Sequence, residues 1–130
     1  MAPDRPIEYR YLISPETIAE IQTELATRRQ RFQYRFFENS KCPGVYAIWW
    51  QHRCLYVGRS TDGTIYNRLC SHMADCHNNV LKSWIKVKGD QLKFSYLCLD
   101  GISELSMIST IETELIRLLN AELNVLHGNE

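Results

Sequence analysis

A glutamate among apolar neighbours is the first residue in this chain that could do chemistry. Residues 103–120 read as a helix, and at about 100° per residue Met107, Ile108, Ile111, Leu115, Leu118 and Leu119 fall on one arc. Glu112 lies inside that arc, and Glu114 at its edge. A carboxylate on a packed face is costly unless it is paired or binds a metal. Glu112 is therefore a metal ligand, the partner of an arginine, or a side chain that snorkels to solvent. Arg68 and His72, four apart on a helix expected from Thr64 to about Asp75, share a face beside the apolar row Ile65, Leu69, Met73 and Cys76. An arginine near a loop and a helix N-terminus is placed to hold a phosphate oxygen. The plain alternative is a surface arginine and a satisfied histidine. Tyr46 and Tyr56 stand on the two strands of an expected hairpin, where tyrosine is commonly packing with its hydroxyl satisfied. A hairpin loop of odd length sets them directly opposite, whereas a two-residue loop pairs Tyr46 with Val57. Cys70, His72, Cys76 and His77 raise zinc, but only His72 and Cys76 share a helix face and no second ligand pair stands at metal spacing. Structural cysteines fit that pattern better.

The elements that must position these side chains follow from local signals. Ser14-Pro15 reads as a helix start, with the serine as N-cap and Ile18, Ile21 and Leu25 as the apolar row. Residues 1–13 show no clear period and read as an extended arm. Arg28, Arg29, Arg31 and Arg35 then interleave with Phe32, Tyr34, Phe36 and Phe37, either as a nucleic-acid-binding face or as core packing. The break at 39–44 divides an extension, residues 1–43, from a main module, residues 44–130. Within the module, Val45–Trp50 and Arg53–Val57 flank Gln51-His52 as a hairpin, and a third strand is expected over Leu92–Cys98. Helices are expected over Thr64–Asp75, about Val80–Val87 and Ser103–Asn120. The order predicts an α+β domain with a small three-stranded antiparallel sheet flanked by helices, with an extra N-terminal helix.

The 130 residues make one domain, and 45% hydrophobic with 23% charged residues argues against a disordered chain. The longest apolar run, Val45–Trp50, is too short to cross a bilayer, and residues 1–6 lack the apolar core of a signal peptide. Five cysteines without a Cys-x-x-Cys argue against a secreted disulfide framework, so a reduced, soluble, cytoplasmic domain is expected, with no membrane partner. The net charge of zero hides a segregation. Residues 28–88 carry eleven Lys/Arg against three acids, a net of +8, while 1–27 carry −3 and 89–130 carry −5. A basic centre of this kind serves a polyanionic partner if the fold gathers it on one side, and is otherwise a solvated surface.

Taken together, Gly44-Val45-Tyr46, Tyr56-Val57-Gly58, Arg68 with His72, Glu112 in Glu-x-x-Leu-Ile, and Asn124 closing Ala-Glu-Leu-Asn resemble the GIY-YIG nuclease family. The resemblance runs from about Gly44 to Val125, nearly two thirds of the chain. Valine replaces isoleucine in both tripeptides, the gap from Gly58 to Arg68 is ten residues, with Thr61-Asp62-Gly63 as the extension, and the proline often found before the final asparagine is missing. The resemblance implies metal-dependent hydrolysis of DNA phosphodiesters. By position, Tyr46 would help activate the attacking water, Tyr56 would assist it, and Arg68 would neutralise the scissile phosphate. Glu112 would hold one Mg2+ or Mn2+, Arg59 stands where some members carry a lysine, and His72 where they carry histidine or tyrosine. Asn124 would tie the chain end to the site. A free phenol ionises near pH ~10, so a full Tyr46 phenolate at neutral pH costs roughly 4 kcal/mol, which a neighbouring charge or concerted proton transfer must offset. The rival expectation is a catalytically silent nucleic-acid-binding or accessory subunit that keeps the fold. Specificity would come from residues 1–43, from inserted loops or from a partner protein, and cutting both strands would take a homodimer or sequential nicks.

Overall fold

The computed structural model describes residues 14–99, 101 and 107–124. The arm expected over residues 1–13, the helix start at Ser103 and the end of the resemblance at Val125 lie outside the described residues. Helix α1, Pro15–Thr27, starts as the sequence indicates: the Ser14 side chain accepts from the Thr17 N–H and Pro15 takes the first turn. Helix α2, Ile65–Asp75, is capped by Thr64 through the Asn67 N–H, and α3, Asn79–Lys88, by Asn78 through the Val80 and Leu81 N–H groups. Helix α4 spans Ile108–Leu118. No described helix is long and apolar enough to cross a membrane.

The sheet has four antiparallel strands rather than the expected three, in the order β1-β4-β2-β3. The longer strands are β2, Gly44–Trp50, β3, Arg53–Ser60, and β4, Leu92–Cys98. The added strand, β1, is only Gln30–Arg31, paired with Phe94 and Lys93. Two residues are too few for side-chain alternation to register in a sequence. Central β2 is covered on both faces. Val45, Ala47 and Trp49 pack with α1 and α4 through Ile18, Leu25, Ile111 and Leu115. Tyr46 and Ile48 pack on the opposite face with Ile65 and Leu69 of α2, Leu81 of α3, and Phe32, Phe37 and Phe94. The break at 39–44 is thus not a break in packing, since Phe32 and Phe37 from before it meet Phe94 edge-on in the same core, their own rings tilted at 55°.

Two features hold the module's ends. Cys42 and Cys98 form a disulfide, Cα–Cα 5.6 Å, which corrects the expectation that all five cysteines are reduced. The two are 56 residues apart, and only strand pairing, which sets Cys98 opposite Gly44, brings them together. The other feature is the segment after α4, which runs along the outer edge of β3. Leu123 N–H donates to Leu55 O at 2.8 Å and Glu122 N–H to Cys54 O at 3.3 Å. Asn124 then bonds both backbone groups of Val57, its Oδ1 accepting from the N–H and its Nδ2 donating to the C=O, each at 2.8 Å. One side-chain amide stands in for the next strand.

Candidate active site

Whether Tyr46 and Tyr56 can act together depends on strand register. The turn is Gln51-His52 between paired Trp50 and Arg53, and Gln51 takes a left-handed conformation, φ 56°. A regular ladder from that turn would set Tyr46 opposite Val57 and send Tyr56 to the other face. The ladder is not regular: Trp49 pairs with Cys54 but Ile48 with Tyr56, so Leu55 is an extra residue in β3. Beyond the bulge Tyr46 faces Gly58, and neither register expected from the sequence is the one found. The shift returns Tyr56 to the face of Tyr46, with ring centroids 6.3 Å apart.

Gly58 decides where Tyr46 goes. A Cβ at this position would land on Cζ and Oη of the Tyr46 ring. The phenol therefore crosses β3 through the space a side chain would fill, and its hydroxyl comes out at the sheet's outer edge. Gly44 is fixed similarly, because a Cβ there would strike the Leu97 carbonyl oxygen on β4.

At that edge the Tyr46 hydroxyl lies 2.7 Å from His72 Nε2. The rings of Tyr46, Tyr56 and His72 form a triangle, the histidine 5.7 Å from Tyr46 and 5.2 Å from Tyr56. The Arg68 charge acts on Tyr46 as well, favouring its ionised form. His72 also reaches the Cys76 Sγ, 3.2 Å from Nδ1; in the tautomer with its proton on Nδ1, Nε2 accepts from the phenol. Burial of Tyr46, reinforced by Tyr56, drives its pKa far above the ordinary phenol value despite the opposing Arg68 charge. Burial likewise raises Tyr56, helped by the Glu112 carboxylate. His72 moves the other way, down to about 4, chiefly by burial and then by the Arg68 and His77 charges. At neutral pH both partners are uncharged, and the bond joins a phenol to a neutral imidazole.

Glu112 approaches from the other face of the sheet on α4. Its negative charge adds to the upward push on both tyrosines, second to burial at Tyr56 and the least of the causes at Tyr46. Arg59, next to Gly58 on β3, bridges to it: Nη1 is 3.0 Å from Glu112 Oε1 and 2.7 Å from Ser109 Oγ. Among the alternatives left open for Glu112, the arginine partner is therefore found. Arg59 and Arg68 also line a cavity of about 180 Å3 with Ser60, Thr61, Asp62 and Asn67, at the start of α2. Among the described residues no three His, Cys, Asp or Glu side chains gather at one point, so a cation here would rest on Glu112. A single carboxylate suits Mg2+ or Mn2+, hard cations that keep several waters and take further oxygens from phosphates. The donor set fits such an ion.

Tyr46, Tyr56, Arg68, His72, Arg59 and Glu112 thus converge on one stretch of β3. The interleaved arginines lie elsewhere. Arg28 pairs with Glu24 on α1 at 3.0 Å. Arg29 donates to the Gln51 carbonyl at 2.7 Å and lies over Trp49, clamping the hairpin turn from the α1 side. Arg31 is on β1, the sheet edge opposite β3, and Arg35 covers Phe36. Sequence reasoning missed Ser109, and it placed Cys76 on the face of His72 without foreseeing a sulfur contact to its ring. Both carried a helical signal, Ser109 three residues before Glu112 and Cys76 four after His72. No protein-family model, curated protein or solved structure matches this chain.

Proposed function

We propose that this chain is a metal-dependent endonuclease of the GIY-YIG type that hydrolyses DNA phosphodiester bonds. The observation that carries the reading is the Tyr46 hydroxyl, threaded past Gly58 to the sheet edge and 2.7 Å from His72 Nε2, under the Arg68 charge, with Glu112 paired to Arg59 beside Gly58 from the opposite face. A structural tyrosine has no need of a glycine window, a neutral imidazole at its oxygen and a cation acting on it.

In this mechanism water attacks phosphorus and its proton passes to Tyr46 Oη as the Tyr46 proton moves to His72 Nε2. The displaced alkoxide takes a proton from solvent. The raised pKa of Tyr46 and the lowered pKa of His72 make a resting phenolate–imidazolium pair strongly unfavourable, so the two transfers are concerted with attack. Arg68 neutralises the phosphate as charge builds on it. Tyr56 holds the water against Tyr46. Glu112 would hold the divalent ion, which when bound supplies positive charge near the leaving oxygen. Tyr46 is fully buried in the free chain, so the side chains around its hydroxyl must part when substrate binds.

The test is nicking of supercoiled plasmid, with single-stranded and hairpin DNA alongside, in Mg2+, Mn2+ or EDTA. Cleavage should need the metal and fall at least about a hundredfold in both Tyr46→Phe and Glu112→Ala. DNA binding without cleavage under every condition would instead identify a silent accessory subunit.

A further inference from the structure

The pairing of Arg59 with Glu112 sets the prospective metal ligand and a cation in direct contact. Glu112's side chain is only 13% exposed, and a bare carboxylate that deep is unfavourable. Arg59 neutralises it from the strand, with Ser109 Oγ fixing the same Nη1. A divalent ion on the Glu112 carboxylate would have to displace this guanidinium or sit against it as a like charge. Arg59 has somewhere else to go. Its side chain is 37% exposed and lines the 180 Å3 cavity, where Arg68, Asn67 and the Ser60 and Thr61 hydroxyls suit an anion. Asp62 on the rim works against an anion, but the two arginines outnumber it.

We propose that Arg59 is an exchangeable counter-ion. Without a divalent cation it neutralises Glu112, and when the cation takes the carboxylate it turns to a backbone phosphate in the adjoining cavity. The phosphate draws Arg59 away from Glu112 and the metal releases Arg59 for the phosphate, so each ligand strengthens the other, by the same factor in both directions. The inference rests on the nuclease reading of Glu112, but concerns binding rather than cleavage.

Mn2+ binding to the full chain, followed by the electron paramagnetic resonance signal of the free ion, tests it with and without a short DNA duplex. A Tyr46→Phe background keeps the duplex intact. With Arg59 present, duplex should tighten Mn2+ at least about fivefold. In Arg59→Gln, Mn2+ alone should bind at least about fivefold tighter than with Arg59, and duplex should change it less than about twofold. Arg59→Lys, which keeps the charge, should restore most of the coupling. If Arg59→Gln leaves Mn2+ affinity and its response to duplex unchanged while Glu112→Gln weakens Mn2+, the exchange is wrong and the metal role of Glu112 stands. If Glu112→Gln binds Mn2+ as the parent does, the metal role itself fails and the exchange falls with it.

Discussion

His72 is the residue whose environment makes the sharpest solution prediction. Its ordinary pKa is about 6.5 and the fold lowers it to about 4, so the unfolded chain takes up a proton that the folded chain refuses as pH falls between those values. Stability should therefore be lost as pH drops through that window, while above it both states are neutral and the contribution is flat. Urea unfolding at pH 7.5 and 4.5 should show wild type losing about 2–3 kcal/mol more than His72→Gln. An equal loss in both would mean that the histidine is not buried as described. Taken singly, the helical spacing of His72 from Arg68 and Cys76 favoured a satisfied histidine beside a surface arginine, and only the ordered set of motifs pointed to a site. Glu112 was clearer, because a charge on an apolar arc demands a partner. Which partner was hidden: Arg59 is 53 residues away, and no local pattern links them.

At the scale of elements, the strands and helices were largely legible because their signals are local. Ser14-Pro15, Thr64 and Asn78 cap where the chain turns into helix, and β2 shows as an apolar run between Gly44 and a two-residue turn. The Leu55 bulge was not legible. Nothing in Arg53–Val57 marks one residue as extra, yet that residue decides which face Tyr56 occupies. The edge strand makes a testable claim of its own. Asn124 satisfies the Val57 N–H and C=O together, so Asn124→Ala should cost about 1–3 kcal/mol in urea unfolding. Asn124→Asp should recover less than full stability, because its carboxylate sets oxygen against the Val57 carbonyl. An alanine variant as stable as wild type would show that water serves this edge equally well.

Over the whole molecule, the segregated charge was legible but its distribution was not. Of the basic centre, Arg59 and Arg68 reach the candidate site, whereas Arg29 clamps a turn on the other layer and Arg31 marks the far sheet edge. The disulfide was illegible for the same reason as the ion pair, since it follows from which strands are neighbours. It closes a loop of 56 residues, which the chain-entropy account values at about 4 kcal/mol. Unfolding with and without a reductant should differ by about 2–4 kcal/mol, and Cys42→Ser/Cys98→Ser should match the reduced protein. Insensitivity to reductant would show that the bond does not form in solution. The bridge also sorts the candidate site by topology. Tyr46, Tyr56, Arg59, Arg68 and His72 all lie inside the covalent ring it closes, whereas Glu112 and Asn124 lie outside. The bridge therefore leaves the distance from the carboxylate to the tyrosines to noncovalent packing alone, through Ile108, Ile111 and Leu115, a bolt seated by fit rather than by thread.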